Sequence, residues 1–121
     1  MTLLALAGAG LLGGLGSVAR VLLDDAVMAR ARAAFPVGIL AVNVSGSLAL
    51  GLLAGAGTHG DAFRIVGVGL LGGYTTYSAW MLDTDRLAGD GLRARAVANV
   101  ALSLVLGLLA VWLGRQAGGL L

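Results

Sequence analysis

The chain contains no cysteine, which removes disulfide frameworks and thiol chemistry from consideration. Lysine and glutamate are missing as well: all eight basic residues are arginine and all six acidic ones are aspartate. The single histidine, His59, falls in a predicted loop, and no carboxylate lies inside a long apolar run. A nucleophile–base pair or a metal cluster has nothing to be built from, so an enzyme is not expected. Charge is scarce at 12%, where a soluble domain carries roughly 25%. Proline occurs once, at Pro36. These absences leave a chain of 121 residues that is 59% hydrophobic, with a mean hydropathy of +0.96.

The apolar residues are gathered into four charge-free runs, Met1 to Ala19, Ala33 to Gly60, Ile65 to Leu82 and Ala96 to Gly114, each of 18 residues or more. About 20 apolar residues cross a bilayer core. The expected architecture is an all-α membrane protein of four transmembrane helices, with spans at about 3–23, 36–57, 63–82 and 94–114. These fill residues 1–121 as one domain of a multi-pass inner (plasma) membrane protein. A cleaved signal peptide ending near Ser17-Val18-Ala19 is an alternative for the first run, but no Lys or Arg precedes it. The segment Asp24 to Phe35, with Arg30 and Arg32, is suited to lie on the membrane surface as an interfacial helix. Pro36 opens the second span, where a proline needs no N–H partner. The loop from Thr58 to Asp61 is tight, and Asp83 to Gly91 forms a polar connection. The net charge of +2 says little about nucleic acid, because the arginines flank apolar spans.

The third run is built to break. Gly72-Gly73-Tyr74-Thr75-Thr76-Tyr77-Ser78 combines paired glycines with adjacent threonines, all poor helix formers. In lipid, each freed backbone N–H or C=O costs several kcal/mol unless protein or water satisfies it, so irregular backbone belongs where it lines a cavity or binds an ion. Glycine itself is abundant, at 21 residues. Gly10 with Gly14, Gly69 with Gly73, and Ser47, Gly51 and Gly55 recur every four residues, spacing that lets membrane helices approach closely. Four thin helices enclose little, so an oligomer is expected. Two G-x-G-x-x-G matches, at Gly8/Gly10/Gly13 and Gly67/Gly69/Gly72, follow no strand and fail the test for dinucleotide binding. The likeness of Gly8–Gly14 to Gly67–Gly73 hints at a parallel internal repeat, with coincidence as the competing reading.

Polar side chains at membrane depth form three groups: Asn43 and Ser47 on the second span, Asn99 and Ser103 on the fourth, and Thr75, Thr76, Tyr77, Ser78 and Trp80 around the break. Helix-to-helix hydrogen bonding explains a lone Ser47 or Ser103. Asn43 and the broken span favour a functional reading, because their amide and backbone groups need partners. Amide and hydroxyl hydrogens and aromatic edges suit an anion, and no acidic residue within a span invites a cation.

Gly13-Gly14-Leu15-Gly16-Ser17-Val18-Ala19-Arg20, Val42-Asn43-Val44-Ser45-Gly46-Ser47 and Gly69-Leu70-Leu71-Gly72-Gly73-Tyr74-Thr75-Thr76-Tyr77-Ser78-Ala79-Trp80 resemble three signatures of the Fluc (CrcB) fluoride channels. Their order and spacing match along essentially the whole chain. The resemblance implies an antiparallel dimer of four-helix subunits that exports fluoride passively and so limits its toxicity. It implies a structural sodium ion held by the backbone carbonyls of Gly72 and Thr75 from both subunits. It places Asn43, Tyr77, Trp80, Ser103 and Asn99 along the fluoride path, and Arg20, Thr76 and Ser78 in structural or vestibule roles. Tyr77 and Trp80 stand where the family usually has phenylalanines, and Asn99 where a tyrosine is common. Two other readings compete. A small multidrug-resistance-type transporter resembles this chain in span number but exchanges protons through a glutamate, which is absent here. A non-conducting assembly subunit explains the small-residue stripes but not Asn43 or the threonines.

Arginine also predicts orientation. Arg30, Arg32, Arg86, Arg93 and Arg95 fall on one side of a four-span chain, against Arg64 and Arg115 on the other. The positive-inside rule then puts both termini outside. The partner is either a second copy inserted the opposite way or an oppositely biased homologue.

Overall fold

In the computed structural model, residues 2–121 are described; Met1, the first residue of the expected first run, lies outside them. The described residues form helices joined by short connections, with no strand among them: α1 (Leu3–Ala31), α2 (Val37–Gly55), α3 (Gly60–Phe63), a π-helical segment (Arg64–Leu71), α4 (Gly72–Tyr74), α5 (Ser78–Gly89) and α6 (Arg93–Gly118). Three of these, α1, α2 and α6, are long and apolar enough to cross a membrane. The fourth crossing is the composite run from α3 to α5, bent at its centre.

The first helix is longer than the apolar run that begins it. It continues through Asp24 and Asp25 to Ala31, so the segment expected as a separate interfacial helix is a continuation of α1. A charge ends an apolar span without ending a helix, and Ala26, Met28, Ala29, Arg30 and Ala31 are strong helix formers. Its 29 residues reach about 43 Å, against a hydrocarbon core of about 30 Å. Termination comes at Arg32, which adopts a left-handed conformation (φ 48°) and donates its N–H to Met28 O at 3.1 Å. Pro36 sits at the cap of α2, one residue before its first turn. Likewise the expected polar connection after residue 82 is helical as far as Gly89, with only a short turn at Gly91 (φ 79°) before α6.

Glycine decides which helices touch. Gly51 and Gly55 of α2 face Val111, Gly114 and Arg115 of α6, and a Cβ on Gly114 would land on the Leu48 carbonyl. The α1 contact runs through Ala9, Gly13 and Gly16, not through the expected Gly10 and Gly14, which have no atom within 4 Å of a notional Cβ. A Cβ on Gly69 would lie 2.7 Å from Ala9 Cα, and one on Gly73 would land on the Gly13 carbonyl. The two similar glycine runs are therefore packed against each other, each supplying the smooth face the other needs. Residue pairs advance together along both contacts, so α1 runs parallel to the third crossing and α2 parallel to α6. The π segment, a rare wider turn, lies along α1 where Gly69 brings the two backbones together.

Candidate functional site

The site grows from the break. Thr75 stops α4: its N–H and its Oγ1 both donate to Leu71 O at 2.9 Å, and its own backbone is extended (φ −77°, ψ 159°). Thr76 starts α5: its Oγ1 accepts the Ala79 N–H at 3.2 Å and pairs with Ser78 Oγ at 3.3 Å. A threonine hydroxyl accepting an N–H three residues on is the usual helix-initiating cap. Adjacent threonines thus close one helix and open the next.

Neighbouring helices satisfy most of what the break frees. Asn43 of α2 grips Thr76 with both ends of its amide, donating Nδ2–H to Thr76 O and accepting the Thr76 N–H on Oδ1, each at 2.9 Å. From α1, Ser17 Oγ shares its one hydrogen between Gly13 O of its own helix at 3.0 Å and Gly73 O at 3.2 Å, and Arg20 reaches Thr75 O at 3.5 Å. The sequence assigns Ser17, which lies inside the first motif, no role of its own. Its signal was its place one helical turn before Arg20, on the same face of α1. Arg20 is in neither of the two ion pairs found among the described residues, Arg64–Asp61 and Arg86–Asp83.

Gly72 O and Thr75 O are among the carbonyls that lose their helical donors. The Thr76 N–H that would close a turn on Gly72 O goes to Asn43, and the Ala79 N–H that would close on Thr75 O goes to Thr76 Oγ1. These are the two oxygens that the resemblance assigned to sodium. Carbonyl oxygens are hard donors suited to a hard cation. Two are too few to replace a hydration shell, and Gly72 lies on an exposed face where another pair could meet them.

Two grooves flank the break. The larger, about 410 Å³, is lined by residues including Asn43, Ser47, Gly72, Thr75, Tyr77 and Trp80. The smaller, about 250 Å³, lies between α2 and α6 and shares Asn43, Ser47 and Trp80 with it, adding Ser103 and Gly107. Tyr77 and Trp80 meet edge to face, centroids 5.8 Å apart and planes at 84°. Ser103 Oγ is shielded from solvent without a hydrogen-bond partner among the described residues. No carboxylate lines either groove. The lining offers one free Asn43 N–H, hydroxyls and ring edges, which is a surface for a small anion.

Asn43, Tyr77, Trp80 and Ser103 are thus brought together, and Asn99 is set apart from them. Asn99 is 1% exposed and lines neither groove. Its Nδ2 donates to Thr84 Oγ1 at 2.9 Å and more distantly to Trp80 O, while its backbone O accepts the Trp80 indole N–H at 3.2 Å. The Asn99 side chain, expected along the path, instead binds α5. Periodicity placed Asn99 on the face of Ser103 and gave no sign of that.

Comparison with known proteins bears on this arrangement. A family profile described as CrcB-like protein, Camphor Resistance (CrcB), matches residues 7–115. A "Fluoride-specific ion channel FluC 2" of Mycobacterium tuberculosis (strain ATCC 25618 / H37Rv) is 47% identical over 108 residues, covering 89% of this chain and 86% of its own length. "Fluoride-specific ion channel FluC 1" of Rubrobacter xylanophilus is 50% identical over 106 residues, covering 87% and 86%. "Fluoride-specific ion channel FluC 1" of Symbiobacterium thermophilum is 44% identical over 115 residues, covering 90% and 93%.

Proposed function

This chain belongs to the CrcB-like family, and on that premise we propose that it is one subunit of a fluoride-specific ion channel in the plasma membrane. It is a channel subunit and not an enzyme. Neither a multidrug transporter nor a non-conducting assembly subunit gains support from the relatives. The observation that carries the reading is the pair of grooves meeting at Asn43, lined by N–H, O–H and aromatic edges and by no carboxylate. Asn43, Ser103, Tyr77 and Trp80 form the fluoride path, with Ser103 Oγ–H free to donate to a passing anion. Fluoride accepts short hydrogen bonds from such groups better than the larger chloride does. Liposomes loaded with fluoride and carrying the purified protein should empty into a fluoride electrode once membrane voltage is clamped by an ionophore. Release no faster than from protein-free liposomes would argue against the channel.

A structural sodium ion fits the break. Gly72 O and Thr75 O are hard oxygens without their helical donors, and a second subunit arranged antiparallel would supply the matching pair. Bound there, the cation would neutralise carbonyl dipoles that otherwise face each other across the dimer. Arg20 contacts Thr75 O from the α1 side and leaves the Gly72 side open. Protein purified throughout in N-methylglucamine should therefore lose its dimer at a lower temperature than protein kept in sodium. Equal dissociation temperatures would count against the ion.

The distribution of arginine supports one orientation. With α1 parallel to the third crossing, Arg30, Arg32, Arg86, Arg93 and Arg95 gather at one end and Arg64 and Arg115 at the other. This bias favours insertion with both termini outside and a partner inserted oppositely. A C-terminal tag on the chain expressed alone should be labelled mainly from outside. Equal labelling from both sides, with full fluoride flux, would mean that a single sequence serves both orientations.

A further inference from the structure

The structure leaves Trp80 held in an unusual way, and the holding group lies outside both grooves. The Trp80 ring borders both grooves and touches Tyr77, so its orientation sets the width of the passage they share. Two hydrogen bonds bind its residue, one to α6 and one to the next turn of α5, and a third joins the two partners. The indole N–H donates to Asn99 O at 3.2 Å, Thr84 Oγ1 donates to Trp80 O at 2.9 Å, and Asn99 Nδ2 donates to that same Thr84 oxygen at 2.9 Å. Asn99 Nδ2 also lies 3.5 Å from Trp80 O. The chain of donors is consistent: Thr84 has one hydroxyl hydrogen, given to Trp80 O, and accepts from Asn99 on its lone pair.

We infer that Thr84 and Asn99 form a clasp of positioning residues that fixes the Trp80 ring at the junction of the two grooves. The inference rests on the fluoride-channel reading only for what the ring's position does. Because its N–H is engaged by Asn99 O, the indole meets the grooves with carbon-bound edge hydrogens and not with its polar group. It therefore substitutes for a purely hydrocarbon ring despite being an indole. Asn99 is nearly fully buried, so in this low-dielectric setting a loss of its partner leaves a donor unpaired.

The test isolates Trp80 optically. The only other tryptophan, Trp112, is 57% exposed on α6 away from both grooves, so Trp112→Phe should leave flux unchanged. In that background, Thr84→Val and the milder Thr84→Ala remove the hydroxyl, and Thr84→Ser keeps it. Both hydroxyl-free variants should give the Trp80 ring a fast component in fluorescence anisotropy decay. They should also slow fluoride efflux about five- to tenfold, the rate equivalent of one hydrogen bond. The fraction of liposomes that empty should stay constant, because positioning changes the rate per channel and misfolding changes the number of channels. Thr84→Ser should restore both ring immobility and rate. A ring as immobile in the Val and Ala variants as in the parent overturns the clasp whatever ion passes. A lowered fraction of emptying liposomes at an unchanged rate overturns it too. Failure of the parent itself to release fluoride would strike at the channel reading instead, and the anisotropy comparison would still decide the clasp.

Discussion

Replacing Asn43 by Asp should abolish fluoride efflux, with an expected loss of at least about a hundredfold. Two effects act in the same direction. Asn43 holds Thr76 by donating to its O and accepting from its N–H, each at 2.9 Å. An aspartate keeps the acceptor and loses the donor, setting a carboxylate oxygen against the Thr76 carbonyl. It also places a negative charge in both grooves, which contain no other. A charged side chain at bilayer depth costs about 2.5–3.5 kcal/mol even on lenient scales, and an anion must then pass it. Asn43→Ala frees Thr76 without adding charge and should slow efflux more mildly, by about tenfold. Initial efflux rates, normalised to the number of emptying liposomes, give the comparison. An Asn43→Asp channel running near the wild-type rate would remove Asn43 from the path.

The second large effect is expected at Gly73. A Cβ there would land on the Gly13 carbonyl and lie 2.8 Å from Gly13 Cα, and both obstacles are backbone that cannot rotate away. Gly73→Ala should therefore push α1 off the break, where Ser17 and Arg20 reach the freed carbonyls. Overpacking of this kind costs about 1–3 kcal/mol, and here it also removes partners from the break. Gly8→Ala, whose Cβ would meet the Ile65 side chain at an ordinary 3.5 Å, should be tolerated. Thermal loss of monodisperse protein in detergent, measured for both variants, checks the contrast. Equal stability of the two would mean that the α1 contact is not tight.

What the sequence disclosed follows from how local each feature is. The break at Thr75 and Thr76 was legible because propensity is a property of neighbouring residues, and paired glycines before paired threonines leave a helix little to continue with. Asn43 was legible as an amide at membrane depth that must have partners. That those partners are the N–H and O of one residue, Thr76, depends on how α2 crosses the break, and no spacing along the chain contains it. The helix end at Ala31 was missed because hydropathy locates the membrane boundary and not the helix boundary. Gly10 and Gly14 have the same spacing as Gly69 and Gly73, but only contact distances show that Ala9, Gly13 and Gly16 form the α1 face instead. Asn99 taught the sharpest lesson: sharing a helical face with Ser103 gave it a direction, while its hydrogen bonds to α5 gave it another.

The most direct measurement is the reversal potential of a planar bilayer containing the channel, with fluoride on both sides at unequal concentrations and chloride in the equal and opposite gradient. A path built from short N–H and O–H donors and aromatic edges predicts a potential close to the fluoride equilibrium value, with chloride contributing no measurable current. A reversal potential near zero, with both halides carrying similar current, would contradict a fluoride-selective channel.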